Sequence, residues 1–87
     1  MSRGIKATRV VVVTANNCAY CDRAKAFLLS RKVPFRERNL ETSRSANAEF
    51  QRLGARGVPL ILVGNRRIEG YRPDLLGKAL RKAGFAD

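Results

Sequence analysis

The 87-residue chain is predicted to fold as one α/β domain, residues 1–87, with the element order β-α-β-α-β-β-α. Short apolar runs rich in β-branched residues alternate with segments in which apolar residues recur at helical spacing. The first strand-helix-strand unit requires a right-handed crossover and parallel strands. Gly64-Asn65 indicates a hairpin between the last two strands. We therefore expect a four-stranded mixed sheet flanked by helices.

The first half of the chain is expected to form a strand, a helix and a second strand. Residues 9–13 are almost wholly apolar, which is typical of a strand covered on both faces. Asn16 and Asn17 suit a turn and a helix cap. A helix is expected over residues 20–32, because Pro34 disfavours helical geometry at the residue before it. Residues 35–40 have a short extended pattern and are expected to be the second strand.

The second half is expected to form a helix, a hairpin and a last helix. Ser43 can cap the first of these helices, and Gly54 ends it. Three apolar residues share its inner face: Ala46, Phe50 and Leu53. Leu60–Val63 and residues 67–69 are the hairpin strands. Pro73 suits the first position of the last helix. Its inner face holds Leu76, Ala79, Leu80 and Ala83.

The composition is strongly basic. Eighteen Lys and Arg against seven Asp and Glu give a formal charge of +11. Such a charge attracts acidic protein surfaces and polyanions. A nucleic-acid partner is disfavoured, because the basic residues are scattered along the chain without an aromatic-interleaved motif. Residues 1–8 are interpreted as a flexible basic segment. No signal segment or bilayer-spanning run is found, so a cytoplasmic protein without membrane contact is expected. A monomer is expected as well.

The two cysteines of the chain stand three positions apart in Cys18-Ala19-Tyr20-Cys21, where a strand gives way to a helix. Unpaired N–H groups and the positive end of the helix dipole favour thiolate at such a position. Thiolate is the species that attacks disulfides, and the second cysteine is close enough to resolve the mixed disulfide. The spacing therefore predicts a thiol-disulfide oxidoreductase.

The cysteine pair has three other interpretations. A zinc site needs four ligands, and the chain has two cysteines and no histidine. A structural disulfide across two residues would restrict the unfolded chain very little. The cysteines could also be inert space-filling residues. The strand-to-helix context favours redox chemistry over all three, and no metal site or tightly bound cofactor is expected.

From Val10 to about Ala83, the residues resemble the glutaredoxin branch of the thioredoxin fold. Cys18-Ala19-Tyr20-Cys21 is similar to the family's Cys-Pro-Tyr-Cys, and Gly57-Val58-Pro59 to its Thr-Val-Pro motif. Gly70-Tyr71-Arg72-Pro73-Asp74 is closer to Gly-Phe-Arg-Pro-Asp of the NrdH-type redoxins, which supply electrons to ribonucleotide reductase. The resemblance implies a thioredoxin-like fold and a dithiol electron carrier.

The resemblance also implies roles for individual residues. Cys18 is the attacking nucleophile and Cys21 resolves the mixed disulfide. The Val58-Pro59 peptide bond is expected to be cis, with the backbone of Val58 facing a bound substrate strand. Four further residues are expected to line the substrate groove: Tyr20, Arg56, Gly70 and Tyr71. For Tyr20, an alternative is a simple core anchor, and for Arg56, a solvated surface arginine.

The sequence leaves two candidate electron donors. Tyr20 and Arg56 favour glutathione as co-substrate, since an arginine can hold its carboxylate. Ala15, where the family commonly has a lysine, and the segment 70–74 favour a thioredoxin-reductase-like flavoprotein. The expected acceptors are protein disulfides, acidic proteins included, or glutathione mixed disulfides. The alternatives are an NrdH-type redoxin, a basic binding module for acidic protein or nucleic acid, and an iron–sulfur cluster shared by two chains.

Overall fold

The computed structural model describes residues 8–85, which form three helices and four strands. The elements are β1 (Val10–Thr14), α1 (Ala19–Ser30), β2 (Arg36–Asn39), α2 (Arg44–Arg52), β3 (Leu60–Val63), β4 (Arg66–Glu69) and α3 (Pro73–Lys82). The predicted element order is confirmed, and the bounds differ by one or two residues. The predicted flexible segment, residues 1–8, lies outside the described residues except for Thr8.

The four strands form one mixed sheet in the order β2-β1-β3-β4. β1 pairs parallel with β2 and antiparallel with β3, and β3 pairs antiparallel with β4. In this register Val13 lies opposite Leu60, and Leu60 lies opposite Glu69. The end of β1, the start of β3 and the end of β4 therefore meet at one edge of the sheet, which we call the dithiol edge because Cys18 follows β1.

All three helices end in the same hydrogen-bonded motif. In α1, Lys32 has a positive φ of 58° and the N–H of Val33 donates to the carbonyl of Leu28 (3.0 Å). Gly54 (φ 67°) follows α2, and Gly84 (φ 97°) follows α3. In both helices the N–H of the residue after the glycine donates the equivalent hydrogen bond. These are Schellman motifs, which satisfy the last carbonyls of a helix. Ser43 caps the start of α2 as predicted, because its Oγ accepts from the N–H of Ala46 (3.2 Å).

The hydrophobic core lies on the face of the sheet that packs against α1 and α3. Alternate strand residues point to this face, because side chains in a strand alternate between its two sides. The core cluster consists of Val10, Val12, Ala24, Leu28, Val33, Ile61, Val63, Ile68, Leu76, Ala79 and Leu80. The opposite face carries α2, which is tied to the sheet by Arg38–Glu49 (3.6 Å) and by a bond from Arg67 to the carbonyl of Leu53 (2.6 Å). None of the helices in residues 8–85 has the length and apolar character needed to cross a membrane.

Candidate active site

Cys18 and Cys21 form a disulfide at the first turn of α1, with their Cα atoms 5.2 Å apart. Cys18 is the N-cap residue of the helix, and its Sγ accepts a hydrogen bond from the N–H of Cys21 (3.1 Å). The cap was expected at Asn16 or Asn17, and that expectation is wrong. Asn17 instead has a positive φ of 56° and makes the turn that carries the chain into the helix.

The two sulfur atoms have different environments. Cys21 lies in the first turn of α1 and is 1% exposed. Cys18 lies at the N-cap of the same helix and is half-buried. In the reduced protein, the amide that faces Cys18 Sγ is one of the donors that the start of a helix leaves unpaired. This donor and the helix dipole favour the thiolate form of Cys18 over the thiol. The geometry is therefore suited to attack by Cys18 and to a second, sheltered step by Cys21.

Val58 and Pro59 directly precede β3, at the same edge of the sheet as the dithiol. Their peptide bond is cis, as expected, and Pro59 is buried. The carbonyl of Pro59 accepts from the N–H of Gly70 (2.8 Å), so the loop before β3 and the end of β4 are joined. Across residues 8–85, the N–H and C=O of Val58 have no hydrogen-bond partner. An extended peptide could pair with these two groups.

The remaining candidate residues differ in their exposure. Tyr20 is 59% exposed, with the guanidinium of Arg23 5.4 Å from its ring centroid, so the alternative of a core anchor is wrong. Tyr71 is half-buried and makes an edge-on contact with Phe27 of α1, with ring centroids 6.3 Å apart. Arg56 is exposed and has no ion-pair partner within the described part of the chain. Tyr20 and Arg56 thus present an open aromatic ring and an open guanidinium at the dithiol edge.

Sequence reasoning missed a ring of polar residues that holds the loop before Cys18. Glu41 accepts from the backbone N–H of Asn16 (2.7 Å) and from its side-chain amide (3.3 Å). Asn39 donates to Asn16 Oδ1 (3.1 Å) and accepts from the N–H of Glu41 (2.8 Å). Because Asn16 and Glu41 are 25 positions apart, no local motif indicates their contact. The ring fastens the loop that leads into the dithiol to the loop after β2.

We expect Glu41→Ala to loosen the loop before the dithiol. The charge-assisted bond to the N–H of Asn16 is lost, at a cost of about 1 kcal/mol. Amide hydrogen exchange should then speed up at Asn16 more than at core strand positions. Glu41→Gln is the matched control, since its side-chain carbonyl can still accept from Asn16. Equal exchange in both variants and the parent protein would contradict this role for Glu41.

A second polar cluster joins the end of β1, the first turns of α1 and the edge strand β2. Thr14 is 1% exposed, and its Oγ1 donates to Glu37 Oε2 (2.7 Å). Lys25 Nζ donates to the same oxygen (3.1 Å) and lies 3.8 Å from Asp22 Oδ1. The hydrogen bond from Thr14, with that of Lys25 and its charge, lowers the pKa of Glu37 against the opposing effect of burial. The cluster is therefore held together by an ionised carboxylate.

The lowered pKa of Glu37 predicts a loss of stability in acid. A carboxylate whose folded-state pKa lies below its unfolded value stabilises the fold above the unfolded pKa. That contribution is lost as the pH falls through the folded-state pKa. We expect the free-energy difference between the parent protein and Glu37→Gln, measured by urea unfolding, to shrink between about pH 7 and about pH 3. A difference that stays constant over this range would contradict the assignment.

The described residues contain no group of three or more His, Cys, Asp or Glu side chains placed to hold a metal ion. The expectation that no cofactor is tightly bound stays a prediction.

Comparison with known proteins agrees with this geometry. The glutaredoxin family model matches residues 10–68. The glutaredoxin-like protein NrdH of Salmonella typhimurium is 28% identical over 69 residues, which cover 79% of this chain and 85% of the relative. Glutaredoxin 3 of Escherichia coli is 36% identical over 62 residues, which cover 70% of this chain and 75% of the relative.

The solved structure of the NrdH-redoxin from Escherichia coli is similar as well. It matches with a TM-score of 0.74 and 26% identity, over 80% of this chain and 92% of that one. The thioredoxin-like fold expected from the sequence is thus confirmed, with the predicted sheet and helix order. The matched family segment includes the dithiol and the Val58-Pro59 element. The chain therefore belongs to the glutaredoxin family and is a thiol-disulfide oxidoreductase related to the NrdH redoxins.

Proposed function

We propose that this protein is a dithiol redoxin that reduces disulfide bonds in other proteins, with Cys18 as the nucleophile and Cys21 as the resolving residue. The observation that carries the proposal is the asymmetry of the pair. Cys18 Sγ lies half-buried at the start of α1, facing the amide of Cys21, whereas the Cys21 side chain is 1% exposed. A substrate sulfur can therefore approach Cys18 Sγ, whereas the sulfur of Cys21 is shielded from it.

The reaction transfers two electrons through two exchanges. The Cys18 thiolate attacks one sulfur of the substrate disulfide, which forms a mixed disulfide and releases the other substrate sulfur as a thiolate that takes up a proton. The Cys21 thiol then loses its proton and attacks Cys18 Sγ. This step releases the second substrate thiolate and leaves the Cys18–Cys21 disulfide seen in the structure. The substrate is reduced and the redoxin is oxidised by two electrons.

The substrate chain is proposed to lie across the start of β3. The open N–H and C=O of Val58 can pair with an extended peptide, which would align its disulfide with Cys18. Further candidate contacts come from the rest of the dithiol edge: Tyr20, Arg56, Pro59, Gly70 and Tyr71. The exposed ring of Tyr20 supplies apolar contact, and Arg56 can hold a carboxylate through two parallel hydrogen bonds.

As electron donor we propose a thioredoxin-reductase-type flavoprotein. Three observations support it: Ala15 in place of a lysine, the NrdH-like segment Gly70-Tyr71-Arg72-Pro73-Asp74, and the similarity to NrdH proteins. The related NrdH-redoxin of Escherichia coli is described as having a thioredoxin-like activity profile. A ribonucleotide reductase is the acceptor that the NrdH resemblance implies. The proposed location is the cytoplasm, where thiols are kept reduced between turnovers.

Glutathione is the second candidate donor. The exposed guanidinium of Arg56 can bind a glutathione carboxylate, and the 36% identity to glutaredoxin 3 of Escherichia coli points the same way. The two donors differ in what they need from the site. Glutathione must be held as a small anion, whereas a flavoprotein docks over a larger surface.

The test compares two regenerating systems on one protein disulfide, with NADPH as the source of electrons. One contains thioredoxin reductase, and the other contains glutathione and glutathione reductase. We expect NADPH oxidation to be at least about tenfold faster with thioredoxin reductase. Arg56→Gln should slow the glutathione-driven reaction more than the thioredoxin-reductase-driven one, because the two reactions share the protein substrate and only glutathione also needs its own carboxylate held.

Two outcomes would contradict the proposal in different ways. Faster turnover with glutathione, lost in Arg56→Gln, would establish the second donor instead. Turnover with neither system, although the Cys18–Cys21 disulfide forms and is reduced by dithiothreitol, would rule out a carrier role for this dithiol.

A further inference from the structure

The end of the domain opposite the dithiol has its own distinctive surface. β1 and β2 begin there, and β3 ends there, since Val11 lies opposite Arg36 and Val63 opposite Arg66. The carbonyl of Arg9 accepts from the N–H of Gly64 (2.8 Å). Both α1 and α3 start at the dithiol edge and run back along the sheet, so their last turns reach this side. We call it the basal end and define it as residues 8–10, 31–36, 63–66 and 81–85.

The described residues at the basal end carry a strong positive charge. Its residues include seven basic side chains, and none of these described residues is acidic. The basic residues are Arg9, Arg31, Lys32, Arg36, Arg66, Arg81 and Lys82. The loops and first turns at the dithiol edge, residues 15–22, 39–43, 54–59 and 69–75, instead hold four carboxylates and two arginines. Among the described residues, the basal end therefore carries seven positive charges and no negative one, whereas the loops and first turns at the dithiol edge carry two more negative than positive charges.

A groove of about 640 Å³ opens at the basal end, on the face of the sheet that also carries α2. Its floor is apolar and includes Val11, Phe35 and Leu62, all half-buried. Arg9 and Arg36 stand exposed at its rim. The groove also contains the ion pair between Arg38 and Glu49. Three arginines thus accompany one glutamate around an apolar floor.

We propose that this groove binds an extended acidic segment of a partner protein, in which apolar side chains alternate with carboxylates. In such a segment the apolar side chains share one face and can cover the floor. The carboxylates at its sides meet Arg9 and Arg36, which can bind them in pairs of hydrogen bonds. A second copy of this chain is disfavoured as occupant, because each copy carries a charge of +11.

Nucleic acid fits the groove less well than an acidic peptide does. Base stacking needs an open aromatic face, whereas the aromatic ring on this floor, that of Phe35, is packed against the core cluster. Phosphates would use the arginines and leave Val11 and Leu62 without a partner. The apolar floor therefore favours protein.

Binding at the basal end leaves Cys18 open, because the groove and the dithiol lie at opposite ends of β1. A partner held there would keep the redoxin close while the dithiol reacts elsewhere. The inference adds a second surface to the proposed function and does not depend on it.

The first experiment measures binding of the full chain to labelled probes by fluorescence anisotropy. The main probe is a peptide of about eight residues in which glutamate alternates with leucine. We expect it to bind at least about tenfold more tightly than the same peptide with serine in place of leucine, or a duplex DNA of about 20 base pairs. Tighter binding of the DNA, or equal binding of the serine peptide, would overturn the proposal.

The second experiment locates the site with matched variants. The double variant Arg9→Gln, Arg36→Gln should weaken binding of the glutamate–leucine peptide by about tenfold or more. The double variant Arg44→Gln, Arg52→Gln removes the same charge from exposed positions on α2. It should change the affinity for the glutamate–leucine peptide by less than about threefold. The rate of disulfide reduction by the dithiol should be equal in the two double variants. Equal loss of binding in the two double variants would show a general charge effect and overturn the assignment.

A nuclear magnetic resonance titration with the same peptide gives an independent readout. Shifts confined to the amides that line the groove, such as Val11 and Leu62, are expected. Shifts centred on residues 18–22 and 56–59 would place the peptide at the dithiol and overturn the proposal.

Discussion

Cys18→Ser is expected to abolish disulfide reduction, with a fall in turnover on the order of a hundredfold or more. The hydroxyl that replaces the thiol is a far weaker nucleophile, because thiolate is the attacking species in exchange. Turnover should be measured as NADPH oxidation with a protein disulfide and the better of the two regenerating systems. The variant should stay folded, since a serine at the N-cap can still accept from the N–H of Cys21.

Cys21→Ser is the matched control for this prediction, because it removes the same atom from the second position. Cys18 should still attack, and the mixed disulfide with the substrate should accumulate and be visible as a mass increase. If Cys18→Ser traps substrate and Cys21→Ser does not, the assigned roles are reversed. Binding of the glutamate–leucine peptide at the basal end should persist in Cys18→Ser, which separates the two surfaces.

Leu28→Ala is expected to have the largest effect on stability, with a loss of about 2–5 kcal/mol in the free energy of unfolding. Leu28 is 0% exposed and lies in the core cluster between α1 and the sheet. The truncation removes buried apolar surface and leaves a cavity in a close-packed interior. A loss of this size is a large part of the roughly 5–15 kcal/mol that stabilises a small domain.

Leu29→Ala supplies the control, because it makes the same chemical change at the next position of the same helix. Leu29 is 67% exposed, so its truncation should cost no more than about 0.5 kcal/mol. Both variants are compared by urea unfolding in the disulfide state, so that the oxidation state is constant. Equal losses would mean that helix propensity, and not burial, governs stability along α1.

The elements were predicted well because each leaves a local signal. Val12 and Ile61 lie in apolar runs that are typical of covered strands, and both are fully buried. Ser43 was predicted to cap α2 and does so, since a capping side chain acts on a neighbour three positions away. The end of α1 was placed two residues late, because Pro34 signals where a helix must have ended and not where Lys32 turns left-handed.

The candidate site was predicted less completely. The cysteine pair and Val58-Pro59 carry recognisable motifs, whereas the contact of Glu41 with Asn16 joins residues 25 positions apart and leaves no pattern in either segment. Tyr20 also shows the limit of periodicity. It continues the apolar spacing of α1, yet it precedes the part of the helix that packs on the sheet and is therefore open to solvent.

By itself the sequence determined the order of the elements, the dithiol at a strand-to-helix junction and the total charge of +11. These are properties of single residues or of neighbours within a few positions. Only the tertiary structure decided that Val58 lies open at the same edge of the sheet as Cys18, that Glu41 holds the loop before Cys18, and that seven basic residues and no acidic residue of the described chain meet at the opposite end. The physical reason is sheet pairing, which sets the direction of each strand and thereby assigns residues far apart in sequence to one end of the domain or the other.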